Sequence, residues 1–402
     1  MSHPRQPVHT VYGGAHLFKA DLARKLGGLA LRAFNEHAPD AAALSAAFGL
    51  DAATASAVHP RVVEKLQREP VEDYRIDFED GFGHRPDEEE DRTAEAAAAE
   101  VAAGMAGRTL PPAIGIRIKP LSPQLASRGL RTLDLFMSAL VAKSGGAIPS
   151  PFVVTLPKVT APRDVASLAD ACDACERTHR LAPGSITIEL MVETPEALYA
   201  PDGRLALPSL VAGGAGRVTG AHFGPFDYTA AFQITAAHQD IRHPACDFAR
   251  QIMLVALAPT TVSISDGPTP IMPVGPPDAV HRAWKLHAGN VRHALVNGIY
   301  QGWDLHPAQL PSRYTAVFAF FLEGLAPASE RLKNFVQKAA QATLVGDVFD
   351  DAATGQGLLN YFLRAMQCGA ITEAEAVERS GLTVDEIRGR SFAAIVTGRR
   401  GR

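Results

Sequence analysis

Short runs in which apolar and polar residues alternate are separated along this chain by longer Ala- and Leu-rich stretches of helical character. Alternation with a period of two is the mark of a β-strand. The strand pattern occurs over about 8–13, 73–79, 113–119, 152–158, 186–193, 218–223, 261–266 and 298–303. Strands spaced by helices build a parallel sheet, and eight such units predict an α/β TIM (β/α)8 barrel, whose chemistry sits at the carboxyl ends of the strands. Beyond Pro311 the strand pattern stops. The expected division is therefore a catalytic barrel over 1–311 and a C-terminal helical extension over 312–402.

Within the strands, alternation assigns faces. Ile186 to Pro195 is a β-branched run stopped by proline, in which Thr187, Glu189, Met191 and Glu193 share a face, with Glu193 at the mouth and Glu189 a turn deeper in a structural position. The next strand exits at Asp227. Two carboxylates at the ends of adjacent parallel strands can share a hard cation such as Mg²⁺, which takes few protein ligands and keeps open positions for water or substrate oxygens.

In Tyr74-Arg-Ile-Asp-Phe-Glu-Asp-Gly81 the inward set is Arg75, Asp77 and Glu79, and three acids fall in four positions at the strand end. In the third strand Arg117 and Lys119 point inward. Arg117 is either a clamp for an acidic substrate or an internal partner of Asp77 or Glu79, because an inward arginine needs a carboxylate. Lys158, closing the fourth strand, can bind an anion, form a Schiff base if its pKa is depressed, or make a structural salt bridge. Asp266 and the polar residues after Trp303 close the last two strands on the same predicted face.

Between the first two strands, residues 19–70 read as helices, with a cap near Asp51 and a loop at His59-Pro60. The acidic run Asp87-Glu-Glu-Glu-Asp91 precedes a helix over 93–105 and reads as a first turn that complements the helix dipole. Cys172, Cys175 and His179 share a helix face, but without a second ligand cluster they do not read as a zinc site.

Composition narrows the function classes. The chain has 402 residues, 47% of them hydrophobic, and a formal net charge of −4, which gives no general attraction to nucleic acid or to anionic membranes. Four cysteines do not make a disulfide framework, no run approaches the length of a membrane helix, and the first residues carry no apolar signal core. The expected setting is cytoplasmic, with neither nucleic acid nor membrane as partner.

Seven short segments, in order, resemble the superfamily of malate synthases and citrate lyase β-subunit-like aldolases: Asp77-Phe-Glu-Asp80, Ile116-Arg-Ile118, Leu156-Pro-Lys158, Val192-Glu-Thr194, Gly224-Pro-Phe-Asp-Tyr228, Trp303-Asp-Leu-His-Pro307 and Phe349-Asp-Asp-Ala-Ala-Thr354. The resemblance implies that Glu193 and Asp227 bind Mg²⁺, or Mn²⁺ in its place. By it Arg117 contacts the substrate carboxylate or enolate, Asp351 is the catalytic base, and Asp77, Glu79 and Asp80 belong to the catalytic set. Lys158 and the turn Gly224, Pro225, Phe226 contact substrate.

The implied activity is that of a Mg²⁺-dependent aldolase or lyase, acting through an enolate on a small oxo- or hydroxy-acid, free or as a CoA thioester, in a homo-oligomer. The alternatives are a malate-synthase-like condensation of an acyl-CoA with a 2-oxo acid, a Schiff-base aldolase using Lys158, and a non-catalytic sensor of oxo acids. Lys119 in place of a second arginine, Asp350 in place of a glutamate, and the length of the chain set it nearer the citrate lyase and aldolase branches than typical bacterial malate synthases.

Overall fold

A computed structural model describes residues 5–341 and 352–400. Eight parallel strands close into one barrel in sequence order. They are β1 (His9–Gly14), β2 (Asp73–Asp77), β3 (Ala113–Arg117), β4 (Phe152–Leu156), β5 (Ile186–Val192), β6 (Val218–Phe223), β7 (Ser263–Pro268) and β8 (Gln301–Asp304). β8 pairs back onto β1, so the sheet has no open edge.

The strands are shorter at their carboxyl ends than alternation suggests in β2, β3 and β4. Residues 78–79, 118–119 and 157–158 continue the polar and apolar alternation but leave the ladder after one more bond, such as Phe78 N–H to the Arg117 carbonyl at 2.9 Å. Glu79, Lys119 and Lys158 therefore stand on loops at the mouth.

Three helices connect β1 to β2: α1 (Leu22–His37), α2 (Ala41–Phe48) and α3 (Ala52–Arg68). Asp51 caps α3 by accepting from Thr54 N–H at 2.9 Å. The expected loop at His59-Pro60 is instead the interior of α3. Proline removes one helical donor, yet Val58 and Val62 on either side are fully buried, and that packing carries the helix through.

The remaining connections are α4 (Asp87–Gly107), α5 (Ala126–Ser144), α6 (Pro162–His179), α7 (Leu207–Gly213), α8 (Pro225–Ala231), α9 (Pro244–Leu257) and α10 (Pro277–Val296). After β8 come α11 (Leu310–Glu323), which packs against α3 and α10, and α12 (Leu325–Gln341). The described chain then resumes with α13 (Ala352–Gln367), α14 (Glu373–Ser380), α15 (Val384–Arg388) and α16 (Phe392–Arg400). Among the described residues no single helix is long and apolar enough to cross a membrane.

The acidic run does start α4, with Asp87 to Glu90 in its first turn. Glu90 departs from the solvated reading, because it is fully buried and receives Lys119 Nζ at 2.8 Å and Thr132 Oγ1 at 2.6 Å. Lys119 is thereby tied to the helix layer, its ammonium also donating to the Phe78 carbonyl at 2.8 Å.

Candidate active site

β2 and β3 pair so that Asp77 and Arg117 are register partners at their last residues. The short reach between them gives a bidentate pair, with Arg117 Nε donating to Asp77 Oδ1 at 2.7 Å and Nη2 to Oδ2 at 2.5 Å. Asp77 also accepts from the backbone N–H groups of Glu79 at 2.9 Å and Gly81 at 2.7 Å, which folds the chain after β2 into a tight turn. That turn brings Glu79 Oε2 to 3.2 Å and Asp80 Oδ2 to 3.7 Å from Arg117 Nη1. Of the two readings left open for Arg117, the internal pair is the one present here. The guanidinium has five N–H donors and Asp77 engages only Nε and Nη2, so Nη1 keeps capacity for a further acceptor.

From β4, Lys158 completes the arrangement. Its ammonium donates to Glu79 Oε1 at 2.6 Å and lies 3.6 Å from Asp80 Oδ1 and 3.7 Å from Asp227 Oδ2. Its backbone N–H donates to Glu193 Oε1 at 2.7 Å. Lys158 holds a left-handed φ of 50°, a conformation that costs a non-glycine residue about 1–3 kcal/mol and persists where surroundings enforce it. Burial opposes the Lys158 charge, but Glu193, Glu79 and Asp80 outweigh it and raise the pKa above the usual lysine value. A Schiff-base nucleophile needs the opposite shift, and the geometry therefore runs against that alternative.

Five carboxylates thus meet two cations, Arg117 and Lys158, at one end of the barrel. Acids therefore outnumber cations at this end, and Glu193 is met by the Lys158 backbone N–H, not by its ammonium. Glu193 is buried, and this desolvation, opposed by Lys158 and aided by the charge of Asp227, pushes its carboxyl up to about 8. Asp227 is exposed, in the first turn of α8.

A Cβ at Gly224 would stand 2.6 Å from Glu193 Oε2, so glycine lets the turn into α8 pass directly against that carboxyl. Pro225 is buried behind this turn and Phe226 half-buried beside it. Among the described residues no three His, Cys, Asp or Glu side chains converge as a complete metal cage. Two carboxyl groups, one of which gives up its proton on binding, nevertheless fit a hard divalent cation that retains water or substrate ligands.

Sequence reasoning missed the floor of this site. Tyr12 from β1 lies beneath Arg117, whose guanidinium carbon is 5.1 Å from the ring centroid, and Trp303 packs on Tyr12 at 4.6 Å. Both hold His222 of β6: Trp303 Nε1 is 3.1 Å and the Tyr12 hydroxyl 3.0 Å from His222 Nδ1. Indole N–H can only donate, so Nδ1 is the acceptor and the ring proton sits on Nε2, facing Glu189 Oε1 at 3.3 Å. Glu189 lies deeper, as expected, clamped by Arg75 through Nη2 at 2.5 Å and Nε at 3.0 Å. The same alternation that placed Arg75 inward marks Tyr12 and His222, read along β1 and β6.

Two expected mouth residues lie elsewhere. Asp266 is buried and paired with Arg250 at 2.9 Å, because α9 supplies an arginine to that strand end. Asp304 is fully buried among His9 Nδ1 at 3.0 Å, His287 Nε2 at 3.1 Å and Arg313 Nη2 at 2.9 Å, tying β8 to β1, α10 and α11. His306 caps the turn that follows by accepting from Ala308 N–H at 3.1 Å. Asp350 and Asp351 lie outside the described residues.

Eight parallel strands closed into one barrel, with acids gathered at one mouth, make this a TIM barrel. The sequence matches the family described as domain of unknown function DUF6986 over residues 2–395, and the chain belongs to that family. No curated protein matches it. Among solved structures, a citrate lyase from Burkholderia xenovorans is 19% identical with a TM-score of 0.61, over 92% of this chain and 95% of that one. A magnesium/glyoxylate complex of Haloferax volcanii malate synthase is 17% identical with a TM-score of 0.50, over 100% and 99%. At these identities the likeness is one of fold.

Proposed function

We propose that the barrel mouth is the active site of a divalent-cation-dependent carbon–carbon lyase or aldolase acting on a small oxo- or hydroxy-acid. The observation that supports this best is the excess of acids over cations at the mouth, where Glu193 and Asp227 stand beside Arg117 and Lys158. Glu193 and Asp227 would hold Mg²⁺, or Mn²⁺ in its place, and the bound ion would supply Lewis-acid polarisation of a carbonyl. Arg117 meets charge developing on the substrate oxygen with donors already fixed by Asp77, so little reorganisation is needed at the moment of reaction. Lys158, kept charged, faces the substrate carboxylate.

The base of this proposal is Asp351, on the strength of the segment Phe349 to Thr354. In the synthetic direction it takes a proton from the carbon next to a carbonyl, and the resulting enolate carbon attacks a second carbonyl. In the cleaving direction the C–C bond breaks and the enolate carbon takes the proton back. The same segment favours, as a second reading, a malate-synthase-like condensation of an acyl-CoA with a 2-oxo acid such as glyoxylate.

Proton NMR in D₂O tests both. Metal-dependent deuterium exchange into the methyl group of pyruvate supports the aldolase reading. Exchange into acetyl-CoA, with glyoxylate or an inert analogue present, supports the condensation. Either is expected to fall by roughly 10²-fold or more in Asp351→Asn. Absence of exchange with every substrate, in protein that binds both metal and oxo acid, would overturn the enzymatic proposal in favour of a sensor.

A further inference from the structure

The end of the barrel opposite the mouth carries a cleft of reversed charge balance. Its volume is about 450 Å³, and its wall includes Gln6, Ser263, Tyr300, Arg364, Gln367 and Arg390. Ser263 opens β7 and Tyr300 directly precedes β8, so the cleft lies at the amino-terminal ends of these strands, roofed by α13 and by the residues joining α15 to α16. Among the described residues no acidic side chain lines it.

Buried or half-buried arginines in this protein are otherwise answered by carboxylates. Arg75, Arg117, Arg217, Arg250 and Arg313 each have one. In the adjoining cleft Arg5 and Lys65 are answered by Glu69 and Glu72. Among the described residues Arg364 has only neutral partners: Nη1 donates to Gln6 Oε1 at 2.8 Å and to Gln367 Oε1 at 3.4 Å, and the guanidinium lies 4.7 Å from the Tyr300 ring centroid.

Arg390 is half-buried and also lines the adjoining cleft, whose wall includes Glu69 and Glu373, but among the described residues it makes no ion pair. Its charge adds to the burial that already lowers the pKa of Arg364. Two guanidinium groups in one uncharged cleft leave planar donor forks and uncompensated positive charge, the chemistry that selects carboxylate and phosphate oxygens. The rest of the wall mixes aliphatic residues such as Leu254, Leu257 and Val262 with the hydroxyl residues Thr219, Thr260 and Ser263, and the Tyr300 ring stands beside them. The volume is in the range of small-molecule sites.

We propose that this cleft is a binding site for a small organic anion, whose carboxylate or phosphate is held by Arg364 and Arg390 and whose body rests on the mixed aliphatic and hydroxyl wall and Tyr300. It is distinct from the mouth and takes no part in the chemistry proposed there.

The test is calorimetric titration of the full chain with inorganic phosphate and, separately, with succinate. EDTA is present throughout, so that the acidic mouth repels both. The expected result is saturable binding of one of these anions at one per chain, weakened about tenfold or more in Arg390→Gln and in Arg364→Gln and unchanged in Lys158→Gln. Which anion binds separates the phosphate source from the carboxylate one. Thermal melts of the free variants show that each is folded, and the surface-proximal Arg390→Gln keeps the test valid if Arg364→Gln is not. No saturable binding of either anion to the wild-type chain, or binding that survives Arg390→Gln but is lost in Lys158→Gln, would overturn the proposal.

Discussion

Replacing Arg117 by alanine is expected to lower methyl-proton exchange by roughly a hundred- to a thousandfold, the usual effect of removing one preorganised donor aimed at developing charge. The same substitution should destabilise the fold. Asp77 is 2% exposed and would lose a bidentate partner, and stranding a buried charge in this way costs about 3–5 kcal/mol. The two backbone N–H groups that Asp77 retains, from Glu79 and Gly81, put the expected loss at the lower end of that range.

Lysine at 117 keeps a charge but cannot engage both Asp77 oxygens and a substrate at once, so it should restore stability more than turnover. Exchange rates and urea midpoints of the two variants, compared side by side, separate these contributions. An alanine variant with undiminished exchange would remove Arg117 from the reaction.

The second large effect is expected deep in the barrel. Arg75 is buried and pairs with two buried acids, Glu189 through Nη2 and Nε and Asp73 through Nη1. Against the burial that would raise it, Arg75 and His222 hold the Glu189 carboxyl far below its ordinary pKa, so it stays ionised at neutral pH. Arg75→Met should therefore cost about 3–5 kcal/mol by leaving both carboxylates without a counter-charge.

The triple variant Arg75→Met, Asp73→Asn, Glu189→Gln removes all three charges and should recover most of that loss, which a shift in urea midpoint would report. The triple variant also breaks the support under His222, and through Tyr12 it should loosen the floor beneath Arg117. Equal instability of the single and triple variants would mean that shape, not charge, makes Arg75 necessary.

Much of this arrangement could be read from alternation because a barrel imposes it. A strand buried on both faces must send every second side chain inward, and so Arg75, Asp77, Arg117, Glu189 and Glu193 could be placed from their spacing alone. Alternation does not report where pairing stops, which is why Glu79 and Lys158 stand on loops and not in strands.

Nor does alternation show which helix supplies a counter-charge. Asp266 and Asp304 end strands as the mouth residues do, but Arg250 on α9 and His287 on α10 reach them and close them off. Glu90 was hidden for a related reason, since one member of an acidic run meets Lys119, which alternation points inward but which turns from the loop after β3 to the helix layer. Proline in α3 was outweighed by burial of its neighbours, a tertiary effect that no local signal carries.

The account rests on Glu193 and Asp227 holding a divalent cation, and magnesium titration tests that most directly. Because burial raises the Glu193 carboxyl to about 8, at pH 7 it is largely protonated without metal, and binding must displace that proton. Affinity should therefore increase as pH rises toward about 8 and level off above it. Calorimetry at pH 7 in buffers of different ionisation enthalpy should register one Mg²⁺ per chain with release of most of one proton, and Glu193→Gln and Asp227→Asn should each weaken binding by about a hundredfold. Magnesium binding left intact by both substitutions, or none at all in the wild-type chain at any pH, would contradict the assignment.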